Sequence, residues 1–176
     1  LNVRYATDTT NMQLWVMHNG ARYAYVSTDG HVIVWDYTNT EFLNGHSHVV
    51  DEVRPAVGVS YFFCGSRYQA IANRWADEIA SVVKHHQRGN SRLAVDMLHG
   101  PGHQLLAQLG IEVGFGYEVM EEARRIKGTE ELKAMRCAVH ACEMSMKDMR
   151  DAIRPGMTER DVWSVLHAGN IRRAGE

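Results

Sequence analysis

The sequence predicts an α/β fold in which helices flank a mixed sheet and the chain then continues into a helical segment. Three observations predict it. Between residues 22 and 115, β-rich runs alternate with helical runs, the order of a sheet layered with helices. Asp29-Gly30 stands between two of the β-rich runs, and that dipeptide in that place marks an antiparallel hairpin. After residue 129 the apolar spacing changes to alternating threes and fours, the period of one helix face.

Residues 22–27 and 32–37 are the two strands of that hairpin, joined by Thr28-Asp29-Gly30-His31. Residues 41–55 are polar and read as a short helix or loop. Residues 61–64 form a compact apolar run and read as a strand. A helix follows over residues 67–86, with Ile71, Trp75, Ile79, Val82 and Val83 on its inner face, and Gly89-Asn90 ends it. Residues 93–95 read as a strand, 104–109 as a short helix closed by Gly110, and 111–115 as another strand. Residues 118–128 form a helical linker.

From residue 129 to the end the chain reads as two helices. Leu132, Met135, Val139, Cys142, Met146, Met149 and Ile153 fall on one stripe of the first. Thr129 is its expected N-cap, and Glu130 and Glu131 suit the positive end of the helix dipole. Arg154-Pro155-Gly156 stops it, because Pro155 disfavours helical geometry at Arg154 and has no backbone N–H. Thr158 with Asp161 three positions on reads as the cap of the second helix. Its apolar side is Val162, Val165 and Leu166, with Trp163 beside it. The expected organisation is thus residues 1–117, a linker over 118–128, and residues 129–176.

Composition narrows the function. A chain of 176 residues holds one domain, or one and part of another, and a net charge of −2 leaves no nucleic-acid footprint. No apolar run approaches the roughly 20 residues that cross a bilayer. Cys64, Cys137 and Cys142 are an odd count without framework spacing, so free thiols in a reducing, cytoplasmic setting are expected, with Cys142 buried on the helix stripe. The chain opens at Leu1 inside a structured pattern and closes at Glu176 inside a helical one, so a fragment is expected, and a missing signal peptide carries no information.

The motifs carry more. Arg125-Ile126-Lys127, then Glu131-Leu132, Met135-Arg136, the long helix and Ile153-Arg154-Pro155-Gly156-Met157-Thr158-Glu159 resemble the pita-bread metalloenzyme superfamily of creatinase, prolidase and aminopeptidase P. The resemblance implies a creatinase-like N-terminal domain lacking its first strand and helix, then the first two helices of a truncated catalytic domain. Asn2-Val3-Arg4-Tyr5-Ala6-Thr7-Asp8, Asp8 to Trp15, Val34-Trp35-Asp36-Tyr37 and Asp161-Val162-Trp163 onward narrow it to the dimethylsulfoniopropionate lyase branch.

That branch implies a metal-assisted β-elimination giving dimethyl sulfide and acrylate. It also implies a divalent transition metal (Fe, Mn, Zn or Co) whose carboxylate and His ligands lie beyond these residues, so the fragment alone is expected to be metal-free and inactive, a dimerisation and capping unit. A homodimer is implied too, with the segment after Asn2-Val3-Arg4-Tyr5 reaching the neighbouring subunit's site. The substrate's sulfonium suits an aromatic face, which makes Tyr5, Asn11, Trp15 and Trp35 the expected substrate contacts; the competing reading is that Trp15 and Trp35 pack the sheet. His167 and Arg172 are expected near the catalytic layer. The alternative function is an Xaa-Pro metallopeptidase acting on short proline peptides, or a creatinase-like hydrolase.

Local histidines offer no substitute metal site. His46 with His48, and His85 with His86, lack a completing Cys or carboxylate cluster. Gly100-Pro101-Gly102 breaks the helical spacing of His99 and His103, and His140 with Glu143 is half a motif. No G-x-G-x-x-G, Walker or Ser-His-Asp pattern is present.

Overall fold

A computed structural model of the chain describes residues 2–10, 22–98 and 100–174. The described elements are α1 (Asn2–Thr7), β1 (Tyr23–Val26), β2 (Val32–Asp36), β3 (Glu52–Pro55), α2 (Tyr61–Cys64), α3 (Tyr68–His86), β4 (Arg92–Val95), α4 (Gly102–Gln108), β5 (Glu112–Phe115), α5 (Tyr117–Arg125), α6 (Thr129–Ala152) and α7 (Glu159–Arg173). They divide into two compact units, Leu1–Arg124 and Arg125–Glu176.

In the first unit the α/β class holds, but the strands form two small sheets where one mixed sheet was expected. β1-β2-β3 is one sheet and β4-β5 the other. β1 and β2 are the hairpin, in the register Tyr23↔Trp35 to Val26↔Val32. Gly30 closes its turn at φ 90°, a left-handed conformation that costs a glycine nothing. β3 runs parallel to β2, pairing Val34 with Val53. Residues 41–55 are therefore more than a helix or loop: a 3-10 turn (Glu41–Asn44), then a strand. β3 is an edge strand whose residues are half-buried or exposed and whose one large apolar side chain is Val53, so its pattern is too weak to announce it.

Every residue of β2 is buried. Its Ile33 and Trp35 meet Trp75, Ile79, Val82 and Val83 of α3, with Ile71 at the margin, so the inner face read from helical spacing is the real one. Tyr23 stacks on Trp35 at 5.0 Å, and burial pushes its phenol well above the usual tyrosine range. β4 and β5 are parallel and joined through α4, a short βαβ unit. Leu106 and Ile111 tie that unit to the same core.

Residues 61–64 are a single helical turn, not a strand. The Ser60 hydroxyl accepts the Phe63 N–H at 3.4 Å, and Gly65 at φ 53° ends the turn. A short apolar run does not reveal its period, whereas the capping residues on either side decide for the helix.

In the second unit α6 begins at Thr129, so the cap lies one residue earlier than expected. The Gly128 N–H donates to Glu131 Oε2 at 2.7 Å, half of a capping box. α7 has the expected box: Asp161 Oδ2 accepts from the Thr158 N–H and hydroxyl, both at 2.8 Å. α6 and α7 pack through Ser145, fully buried, against Gly169, where an added Cβ would stand 2.9 Å from Ser145 Cβ. Arg173 braces the contact through Asp148 at 2.7 Å.

The stripe read as the buried face of α6 is the outer one. Leu132, Met135, Val139, Met146 and Ile153 are about half exposed, and Cys142 is exposed rather than buried. Two helices share one contact face, and here the small residue Ser145 permits the close approach on the other side.

Two predictions follow from this packing. Gly116 follows β5, and a Cβ there would lie 2.7 Å from the Val95 backbone nitrogen, so Gly116→Ala forces β4 and β5 apart. Urea denaturation should show a loss of about 1–3 kcal/mol, and an unchanged midpoint would refute this account of the site. Hydrogen bonds from Thr158 hold the Asp161 carboxyl below its ordinary value of 3.8. Its contribution to α7 is therefore present above the ordinary carboxylate range and lost as pH falls through the lowered value. Far-ultraviolet ellipticity of wild type should decline across that acid window relative to Asp161→Asn, whose cap no longer titrates.

Candidate functional site

Among the described residues of the first unit, a densely hydrogen-bonded polar cluster sits at the end of β2. Arg22, just before β1, and Asp36, the last residue of β2, are both buried, with Arg22 Nε 3.1 Å from Asp36 Oδ2. Asn44 Nδ2 donates to the same oxygen at 2.9 Å, while the Tyr37 N–H and Thr40 hydroxyl reach Oδ1 at 2.9 and 3.0 Å. Arg22 Nη2 donates to Thr9 Oγ1 at 2.7 Å and to Asn44 Oδ1 at 3.4 Å. The carboxylate thus meets four donors and the guanidinium three acceptors, which satisfies a charge pair that burial would otherwise penalise.

Thr7, Thr9 and Thr10 connect this cluster to α1. The Thr7 hydroxyl donates to the Val3 carbonyl at 2.6 Å, so the Thr7–Thr9 contact of 2.7 Å takes its proton from Thr9. That leaves the Thr9 lone pairs facing Arg22. Ser47 Oγ donates to the Thr7 carbonyl at 2.6 Å, and Thr10 Oγ1 to Leu43 O at 3.2 Å. Sequence reading passed over this cluster. Asp36 ends an apolar run and Arg22 precedes one, but nothing in a string of residues shows that the two meet.

The expected substrate contacts separate. Asn11 and Trp15 lie outside the described residues. Tyr5 is 42% exposed, its hydroxyl donating to the Ala123 carbonyl at 2.8 Å, so the tip is fixed while part of the ring is open. Trp35 is fully buried. Tyr23 stacks on its ring, Arg54 lies 5.6 Å from its centroid, and its Nε1–H donates to Glu78 at 2.8 Å. An enclosed ring offers no face to a ligand, so Trp35 is a core residue that orients Glu78. In the second unit His167 and Arg172 are exposed, and His167 stacks on Trp163 at 4.7 Å.

A cleft of about 380 Å³ is lined by Arg54, Glu78, Ser81, Val82, His85 and His86. Its charges pair internally: Arg54 meets Glu52 at 2.6 Å and Glu78 at 3.3 Å. The Arg54 hydrogen bond keeps the Glu52 carboxyl below its usual range, and Glu52 in turn raises the Arg54 guanidinium. His86 stacks on His31 at 4.3 Å and meets the edge of His85 at 4.8 Å, a ring arrangement rather than convergent ligand nitrogens. Among the described residues no group of three or more His, Cys, Asp or Glu could hold a metal ion. The residues described here do not fit the metal that the resemblance implies.

Similarity to known proteins complements this geometry. Over its whole length the chain is 45% identical to dimethylsulfoniopropionate lyase DddP of Roseovarius nubinhibens, and 42% identical to the protein of the same name from Roseobacter denitrificans. The chain is a homologue of dimethylsulfoniopropionate lyases. It spans 41% and 40% of those two relatives. No protein-family model matches it. The branch-level resemblance read from Asn2 to Asp8 and from Val34 to Tyr37 is thereby supported across all 176 residues. Among the described residues no helix is long and apolar enough to cross a membrane.

The core assignment of Trp35 has a direct check. Trp35→Ala should lower the stability of the protein by about 3–5 kcal/mol in chemical denaturation. A variant that kept wild-type stability but lost ligand affinity would return Trp35 to the substrate site.

Proposed function

We propose that this chain is part of a metal-dependent dimethylsulfoniopropionate lyase. The observation that carries the proposal is the similarity, over all of this chain and 41% and 40% of the relatives, to two proteins named dimethylsulfoniopropionate lyase. The reaction is a β-elimination. A base takes a proton from the carbon beside the carboxylate, the C–S bond breaks with its electron pair on sulfur, and dimethyl sulfide and acrylate result. A divalent metal, for which the described residues offer no site, would supply positive charge to the substrate carboxylate.

In this reading the chain contributes binding and assembly rather than the base. Tyr5, Asn11 and Trp15 face the substrate, with an aromatic ring on the sulfonium, and two copies assemble so that this segment serves the partner's site. His167 and Arg172 sit behind the catalytic layer. The half-exposed apolar stripe of α6 supports reading residues 129–176 as the first two helices of a larger domain. A cytoplasmic location accords with three free cysteines.

The test is headspace dimethyl sulfide from the full-length, metal-loaded protein, with an Xaa-Pro peptide assay alongside. Sulfide release without peptide cleavage is the expected result, and peptide cleavage without sulfide would overturn the proposal. Trp15→Ala should raise KM about 2- to 30-fold, the range of one cation–π contact. An unchanged KM would remove Trp15 from the site.

A further inference from the structure

We propose that Asn44 is a latent deamidation site: the Arg22–Asp36 cluster keeps it unreactive in the folded chain, and its conversion to an acid prevents the cluster from re-forming.

The chemistry begins with the dipeptide. Among the described residues Asn44 is the asparagine followed by glycine. Gly45 has no Cβ to keep its backbone nitrogen away from the side-chain amide of the residue before it. That nitrogen, on losing its proton, attacks Asn44 Cγ; the Cγ–Nδ2 bond breaks, ammonia leaves and a cyclic imide forms. Water then opens the imide at one carbonyl or the other, giving aspartate or isoaspartate. One water is consumed and one ammonia released, with no change of oxidation state.

The fold restrains each participant in this step. Asn44 is buried at the end of the 3-10 turn Glu41–Asn44. Its Nδ2 donates to Asp36 Oδ2 at 2.9 Å and its Oδ1 accepts from Arg22 Nη2 at 3.4 Å, so swinging the amide towards Gly45 breaks both bonds. The Gly45 N–H donates to the Phe42 carbonyl at 3.3 Å, which holds the proton that the attacking nitrogen must lose. Asp36 is itself fixed by the Tyr37 N–H, the Thr40 hydroxyl and Arg22. Reaction therefore waits for the cluster to open.

The product does not fit the place of the amide. An acid at position 44 brings no N–H to Asp36 Oδ2 and sets a second carboxylate beside it, with one guanidinium between the two. Like charges in one buried site disfavour each other, and the hydrogen bond that satisfied Asp36 is gone. Isoaspartate also adds a backbone carbon beside a turn in which the Leu43 N–H donates to the Thr40 carbonyl at 2.9 Å. Each opening thus exposes the chain to a step that closing does not reverse, and the lifetime of the first unit becomes a rate rather than an equilibrium.

The test is peptide mapping by mass spectrometry of the full-length protein, aged at mildly alkaline pH in native buffer and in urea. Asn19-Gly20, the same dipeptide elsewhere in the chain, calibrates the rate in urea. Asn44 is expected to convert at least about tenfold more slowly in native buffer than in urea. Thr40→Val, which removes one bond from Asp36, should speed that native conversion about fivefold, while exposed Asn90, followed by Ser91, keeps its wild-type rate. Equal rates for Asn44 in buffer and urea overturn the protection, and so does a Thr40→Val rate equal to wild type. Asn44→Asp, the product in place, should melt below wild type; an unchanged Tm overturns the second half of the proposal. Where Asn44→Asp yields no folded protein, aged wild type mapped as converted at Asn44 replaces it: lost refolding from urea sustains the proposal and full recovery overturns it.

Discussion

At the end of β2, the buried pair of Arg22 and Asp36 joins what the rest of the first unit must hold together. Asp36 terminates β2, whose residues are all buried, and Arg22 immediately precedes β1, the strand paired with it. Neither charge is tolerable inside the unit without the other, and together they draw in Thr9, Thr40 and Asn44. The cluster therefore fixes where α1 ends, where the hairpin starts and where the 3-10 turn sits. Removing either charge leaves the other buried without its counter-ion, which costs more than the pair itself contributes.

One layer away the same strand works through apolar contact. Trp35 shows how the two kinds of interaction share β2: its ring is packed by Tyr23 and by α3, while its indole N–H orients Glu78 towards Arg54. Among its described residues the second unit has no comparable core. Its helices meet through Ser145 and Gly169, and the large apolar side chains of α6 remain half exposed. A small-residue contact allows close approach but buries little area, so helix caps such as the Thr158–Asp161 box carry a larger share of the local order.

Much of this was legible in the residues. The hairpin turn at Asp29-Gly30, the inner face of α3 and the restart at Thr158 are each set by a local rule, and each is where the pattern put it. The misses have equally specific causes. β3 offers one large apolar residue on an edge, residues 61–64 are too few to show a period, and periodicity identified the α6 stripe without saying what covers it. Among site residues, motif resemblance indicated the branch, while the complete burial of Trp35 favours the competing reading that it packs the sheet.

The sequence by itself determined the α/β class, the helix boundaries near Pro155 and Thr158, and the relationship to the lyases. These depend on local propensity and on residue identity, which a string of residues carries in full. Only the tertiary structure decided that the strands divide into two sheets, that α6 turns its small residue rather than its large ones towards α7, and that Arg22 meets Asp36. Each of these is a contact between residues far apart in the chain, chosen by burial and by the need to satisfy buried polar groups, and no local pattern encodes which distant partner meets that need.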